Sequence, residues 1–152
     1  MATDEHRISP AFIIDAWYMA LTIWAEARGE GERGMRYVAW VIRNRVRDPR
    51  WPNTVRGVVT QPRQFSCWNK TDPNRPLLSD PLASGRVDAA AFMTALRVAI
   101  EVLTADEKDN PIPGVFWYYA SWIKPPAWAA HMEVVPLADS GQHVFLREAS
   151  KA

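Results

Sequence analysis

Ser9-Pro10-Ala11-Phe12-Ile13-Ile14-Asp15-Ala16-Trp17-Tyr18-Met19-Ala20-Leu21-Thr22-Ile23-Trp24-Ala25-Glu26-Ala27-Arg28-Gly29 is the stretch on which the fold turns. Ser9 before Pro10 reads as an N-cap followed by proline in the first helical turn, where its missing N–H costs nothing. Ile13, Ala16, Trp17, Ala20, Leu21 and Trp24 recur at helical spacing on one face. Gly29 supplies the expected stop. The stretch predicts a long first helix with its apolar face turned to a core.

Outward from this helix, residues 1–8 read as a loose terminus and the remainder as a single domain over 9–148. A short glycine- and glutamate-rich turn leads to a second helix, roughly Glu32 to Arg47. Met35, Val38, Ala39, Ile42 and Val46 form its apolar face, and Arg36, Arg43 and Arg47 read as a solvated stripe. Pro49 and Pro52 end it. Thr54 is placed to cap a short helix from Val55 to Thr60. A proline-punctuated segment, Gln61 to Ser84, carries Gln64-Phe65-Ser66-Cys67-Trp68-Asn69; a long irregular segment in a small domain is usually functional or disordered, and its aromatics argue for order and function. A third long helix is expected from about Val87 to Ala105, with Asp88 in its first turn. Val115–Ala120, Met132–Leu137 and His143–Arg147 read as strands, the last two joined by an Asp139-Ser140-Gly141 turn. The expected class is α+β: mostly helical, with a small antiparallel sheet late in the chain.

Composition narrows the function classes. The chain has 152 residues, 48% hydrophobic and 23% charged, with a formal net charge of +1. That is a globular composition, and the near-neutral charge disfavours a broad nucleic-acid-binding face. One cysteine, Cys67, excludes an intrachain disulfide. No apolar run is long enough to span a bilayer, and no Sec-type signal is visible in residues 1–10. Eight tryptophans are present; most belong in a core, but indole faces also stack on sugar rings.

Glu26 is the carboxylate of greatest interest. It lies at the edge of the apolar face, beside Phe12, Met19 and Ile23, in the last turn of the first helix. The negative end of the helix dipole and partial burial both disfavour an ionised carboxylate there. Both push its pKa up, toward an acid that keeps its proton near neutral pH and can donate it to a leaving oxygen. The plain alternative is a surface ion pair with Arg28, Arg33 or another arginine.

Glu26-Ala27-Arg28-Gly29-Glu30, Gly34 and Val41-Ile42-Arg43-Asn44-Arg45-Val46 resemble the SleB/CwlJ-type cell-wall hydrolases. Trp51-Pro52-Asn53-Thr54-Val55 with Val58-Val59, Gln61 to Trp68, and Ser140-Gly141-Gln142-His143-Val144-Phe145 extend the resemblance in the same order, from Tyr18 to Leu146. Ala120, Gln142 and Leu146 depart from the family pattern. The resemblance implies a lysozyme-like domain acting on peptidoglycan glycan strands, with Glu26 as catalytic acid. It implies lytic transglycosylation between N-acetylmuramic acid and N-acetylglucosamine, closing a 1,6-anhydro ring.

Glu30 is expected to assist Glu26, to raise its pKa by like-charge proximity, or to bind a loop amide. A hydrolase with two carboxylates would need a second acid about 5–9.5 Å away; Glu30 and Glu32 are the nearby candidates, which leaves simple hydrolysis open. Gln64, Ser66, Trp68 and Asn69 are candidate groove residues, since amides and hydroxyls suit N-acetyl and hydroxyl groups. Tyr118 and Tyr119 alternate across a strand, so one is expected to face the core and the other the groove. His143 either borders the site or bonds a buried backbone group. No metal site, cofactor or nucleic-acid partner is expected, and a monomer without membrane insertion is. Two other readings stay open: a non-catalytic wall-binding module, and a cysteine peptidase built on Cys67 with His131 or His143. With no leader visible, synthesis in a host cytoplasm and action on the wall, as in a phage endolysin, is the expectation for localisation.

Overall fold

The computed structural model describes residues 8–62, 64–83, 85–137, 139 and 141–149. Most of the expected loose terminus and Ser140 of the expected turn therefore lie outside the described residues. Four α-helices, α1 (Pro10–Ala27), α2 (Gly31–Val46), α3 (Val55–Val59) and α4 (Arg86–Thr104), precede a three-stranded antiparallel sheet of β1 (Val115–Ala120), β2 (Met132–Val134) and β3 (His143–Glu148). The sheet order is β1-β3-β2, with β3 central. Tyr118 pairs with Phe145 and Ala120 with His143; Val134 pairs with Leu146. The expected α+β class holds.

The first helix begins as its sequence requires, with Ser9 Oγ accepting from Phe12 N–H at 3.1 Å and Pro10 in the first turn. Its end differs from expectation. A 3-10 turn, Arg28–Glu30, runs directly into α2, and the residue in the left-handed region is Gly31 (φ 77°) rather than Gly29. The left-handed residue therefore comes two residues later than expected. The core lies where α1 meets α2, α3 and α4. Met19, Ile23, Trp24, Val38, Ile42, Phe92, Val98 and Phe145 are its central members. Trp24 meets Phe92 edge-to-face and donates its indole N–H to Asp88 O at 2.9 Å, so the buried polar atom is satisfied. Ile13 and Trp17, expected on the core face, are 55% and 39% exposed: only the second half of α1 is covered on that side.

Three consecutive residues of α2 tie the layers together. Arg43, expected in a solvated stripe, is 3% exposed; it donates to Val102 O and Ala105 O and so caps carbonyls at the end of α4. Asn44 donates to Ile112 O and Val115 O and accepts from Asn110, fixing the entry to β1. Arg45 donates to Phe116 O. The strand is thereby docked on the helix that follows Glu26. β2 is shorter than expected, three residues, although Val135 N–H still reaches Phe145 O at 2.8 Å. The proline-rich segment is organised into 3-10 turns at Ser66–Trp68, Arg75–Ser79 and Pro81–Ala83.

Candidate active site

A cleft of about 810 Å³ opens between α1, α2 and the sheet, and Glu26 lies in its wall. Its position follows from a stripe on α1. Tyr18, Thr22 and Glu26 are four residues apart and share one face. The turn Ser66–Trp68 docks along that stripe. The Trp68 ring stacks on Tyr18 at 5.3 Å, and its indole N–H donates to Thr22 Oγ1 at 2.9 Å. Cys67 N–H then meets Glu26 Oε1 at 3.5 Å, at the long limit of a hydrogen bond.

Burial pushes the Glu26 carboxyl up from its ordinary value, and the charge of Asp72 adds to the rise. The contacts to Cys67 oppose it without cancelling it. Among the described residues Glu26 takes part in no ion pair. Arg28 is engaged by Asn74 at 3.0 Å and Asp88 at 3.6 Å, and Arg33 by Asp139. Neither Arg28 nor Arg33 is therefore the partner of Glu26, and no other arginine among the described residues is. What the cleft holds is a half-buried acid beside a 3-10 turn, with no cation against it among the described residues and with its carboxyl held above the ordinary value by burial.

Glu30 occupies a different place. It is absent from the cleft wall. Its side chain is 5% exposed, with Oε2 2.6 Å from His143 Nδ1 and Oε1 accepting from Gln142 N–H. Two glycines make room for it: a Cβ on Gly34 would sit 2.7 Å from Glu30 Cβ, and one on Gly141 would sit 2.6 Å from Glu30 Oε1. Glu30 thus joins the turn after α1 to the start of β3, the loop-amide reading among those weighed. His143, buried, packs edge-on against Tyr118 at 4.8 Å. Burial lowers its pKa while Glu30 acts in the opposite direction.

Of the other candidates, Gln64, Ser66, Tyr118 and Tyr119 line the cleft. Both tyrosines reach it, which alternation alone did not anticipate. Tyr118 also leans on the buried Phe65 and Phe145, and Tyr119 meets Trp128 edge-to-face at 6.2 Å. Trp68 is an anchor of the turn, and Asn69 is exposed just beyond it; neither lines the cleft. Reasoning from sequence missed Arg45, Arg50, Trp117, Ile123, Trp128, Met132 and Glu148 in the wall. Trp128 carried a signal, as one of few aromatics in a proline-rich loop; Arg45 carried none beyond the motif that contains it.

Cys67 is free and 1% exposed, and burial together with the Glu26 charge pushes its thiol far up, away from the thiolate a peptidase needs. Among the described residues no three His, Cys, Asp or Glu side chains gather as a metal site, and no helix is long and apolar enough to cross a membrane.

Comparison with known proteins places the chain in a family. Residues 29–146 match the Cell Wall Hydrolase family, a span that begins three residues after Glu26. A spore cortex-lytic enzyme of Halalkalibacterium halodurans is 27% identical over 93% of this chain and 39% of its own length. One of Bacillus cereus is 46% identical over 35% of this chain and 20% of its own. The chain thus spans well under half the length of the curated relatives it matches. Among solved structures, the catalytic domain of the germination-specific lytic transglycosylase SleB of Bacillus anthracis superposes with a TM-score of 0.59, at 24% identity over 92% of this chain and 97% of that one. The Bacillus cereus SleB catalytic domain gives 0.56 at 22%, over 97% of this chain and all of that one. These two likenesses concern the fold.

Proposed function

The chain belongs to the Cell Wall Hydrolase family, and on that premise we propose that it is a lytic transglycosylase that cuts peptidoglycan glycan strands, with Glu26 as general acid and then general base. The observation that carries this is the state of Glu26: a carboxyl raised by burial, unpaired by any described cation, in the wall of a cleft large enough for sugar rings.

Glu26 gives its proton to the glycosidic oxygen as the bond from the muramic C1 to that oxygen breaks. Positive charge develops on C1 and the ring oxygen. The C6 hydroxyl of the same sugar attacks C1, and its proton returns to the Glu26 carboxylate. The 1,6-anhydro ring closes, no water is consumed and the acid is regenerated, so one carboxyl suffices. Gln64, Ser66, Tyr118 and Tyr119 position the strand, and Trp128 beside Tyr119 offers an aromatic face to a sugar ring. Trp68 and Asn69 act through the turn that presents Cys67 to Glu26. Glu30 and His143 hold Tyr118 from beneath. The described wall of the cleft comes from one chain, and action as a monomer is proposed with it.

Clearing of purified peptidoglycan by the wild type and by Glu26→Gln tests the reading. The wild type is expected to clear the suspension, and the variant to lose roughly 10²–10⁴-fold in rate, the usual worth of a general acid. A protein that sediments with the wall but never clears it would instead be a binding module. An endolysin role is proposed with the activity; co-expression with a membrane-pore-forming partner should lyse a host, and lysis without that partner counts against it.

A further inference from the structure

Arg45 is a buried cation in the cleft wall with no anion against it among the described residues. It is 5% exposed, lines the same cleft as Glu26, and among the described residues forms no ion pair. The Trp51 and Phe65 rings each lie 5.5 Å from its guanidinium carbon. Its Nε donates to Phe116 O at 2.8 Å and one terminal nitrogen donates to Gln64 Oε1 at 3.0 Å. Burial lowers its pKa to about 10, so the charge persists at neutral pH. Holding a desolvated charge among ring faces and two carbonyl oxygens is costly unless those oxygens stay in place.

A guanidinium has donors and no acceptor. Gln64 can therefore face Arg45 only with its carbonyl oxygen, which turns its amide N–H₂ away. Gln64 is exposed and lines the cleft, so the donor is offered there. A free glutamine would present either end by rotating its amide; this one cannot without setting donor against donor. We propose that Arg45 is a positioning residue that locks the Gln64 amide with its N–H₂ toward the cleft, and that this fixed donor reads the acetamido carbonyl of an N-acetylated hexosamine.

The inference rests on the glycan-cleaving reading above and adds a selectivity to it. An acetamido group brings a carbonyl acceptor to the Gln64 donor. A de-N-acetylated sugar brings an ammonium, which has only donors, and meets N–H₂ with repulsion.

Rates on glycan strands before and after chemical de-N-acetylation test this. The wild type is expected to prefer acetylated strands by on the order of tenfold in kcat/KM, the worth of one hydrogen bond. In Gln64→Glu a carboxylate takes the same place against Arg45, giving the buried cation a counter-ion, so folding is expected to survive. That carboxylate accepts from an ammonium and cannot donate to a carbonyl, and the preference is expected to invert. In Arg45→Met the amide is released, and preference is expected to fall with the loss in KM rather than kcat; thermal unfolding verifies that the variant is folded. A role in packing alone would lower the melting temperature and leave the preference of the folded protein intact. A wild type that cuts neither strand refutes the glycan-cleaving reading itself. Equal cutting of both strands by the wild type, unchanged preference in Gln64→Glu, or full preference in folded Arg45→Met overturns the assignment and leaves Glu26 untouched.

Discussion

The indole N–H of Trp68 donates to the hydroxyl of Thr22 at 2.9 Å, one helical turn before Glu26. Thr22 in turn donates to Tyr18 O at 2.8 Å, so its hydroxyl is oriented to accept. This bond sets the height of the Ser66–Trp68 turn along α1, and with it the distance from Cys67 to Glu26. Trp68→Phe keeps the stacked ring and removes the donor. The expected cost is about 1 kcal/mol of stability, with a larger proportional loss of lytic rate because the turn can slide. Denaturant melts and clearing rates measured together check this; an unchanged rate would mean the turn is held by other contacts.

Glu26 makes stability depend on pH in a defined direction. Its folded pKa lies above the ordinary 4.5, so the folded state holds the proton more tightly than the unfolded chain. Its contribution to stability is greatest below about 4.5 and declines as pH rises toward the folded value, after which it is level. Glu26→Gln removes that penalty. The variant is expected to melt higher than the wild type at neutral pH, with the gap closing as pH falls to 4.5 and below. A constant gap across that window would mean the carboxyl is not raised.

Gly34 and Gly141 are required by the volume of Glu30. Alanine at either position sets a methyl group under 3 Å from the Glu30 side chain, and at Gly141 also strains a φ of 64°. Each substitution is expected to destabilise by about 1–3 kcal/mol. Glu30→Gln keeps an acceptor for Gln142 N–H and is expected to retain most clearing activity, whereas Glu30→Ala leaves that amide and His143 unpartnered and is expected to lose about 1–3 kcal/mol. Inactivity of a fully folded Glu30→Gln would give Glu30 a share in proton transfer.

Trp128 is 44% exposed and stands over Tyr119 at the cleft. Removing a stacking face without touching the acid should weaken strand binding. Trp128→Ala is expected to raise KM several-fold to about tenfold with a smaller change in kcat. A fall in kcat alone would place Trp128 nearer the reacting bond.

Much of this was legible in the chain because local signals agreed. The Ser9 cap, the periodicity of α1 and the terminal strands each follow from chemistry confined to a few neighbours, and the placement of Glu26 at the edge of an apolar face is itself a helical-wheel fact. What could not be read depends on partners far along the chain. Arg43, Arg45 and Arg47 look alike in sequence, yet Arg43 is buried because the end of α4 presents the carbonyls of Val102 and Ala105 to it, while Arg47 stays exposed. Arg45 is buried because β1 and Gln64 converge on it from either side. The separation of Glu30 from the cleft likewise needs Gly141 and Gln142, more than a hundred residues away, to pull it toward β3. Trp128 reaches the cleft because of how the loop after β1 returns to the sheet, which no local pattern encodes.

The most direct test of Glu26 as the acid that cuts glycan strands is mass spectrometry of the muropeptides released from purified peptidoglycan by the wild type and by Glu26→Gln. The account predicts 1,6-anhydro products from the wild type and their loss, by roughly 10²–10⁴-fold, from the variant. Release of the same products at the wild-type rate by folded Glu26→Gln would contradict it.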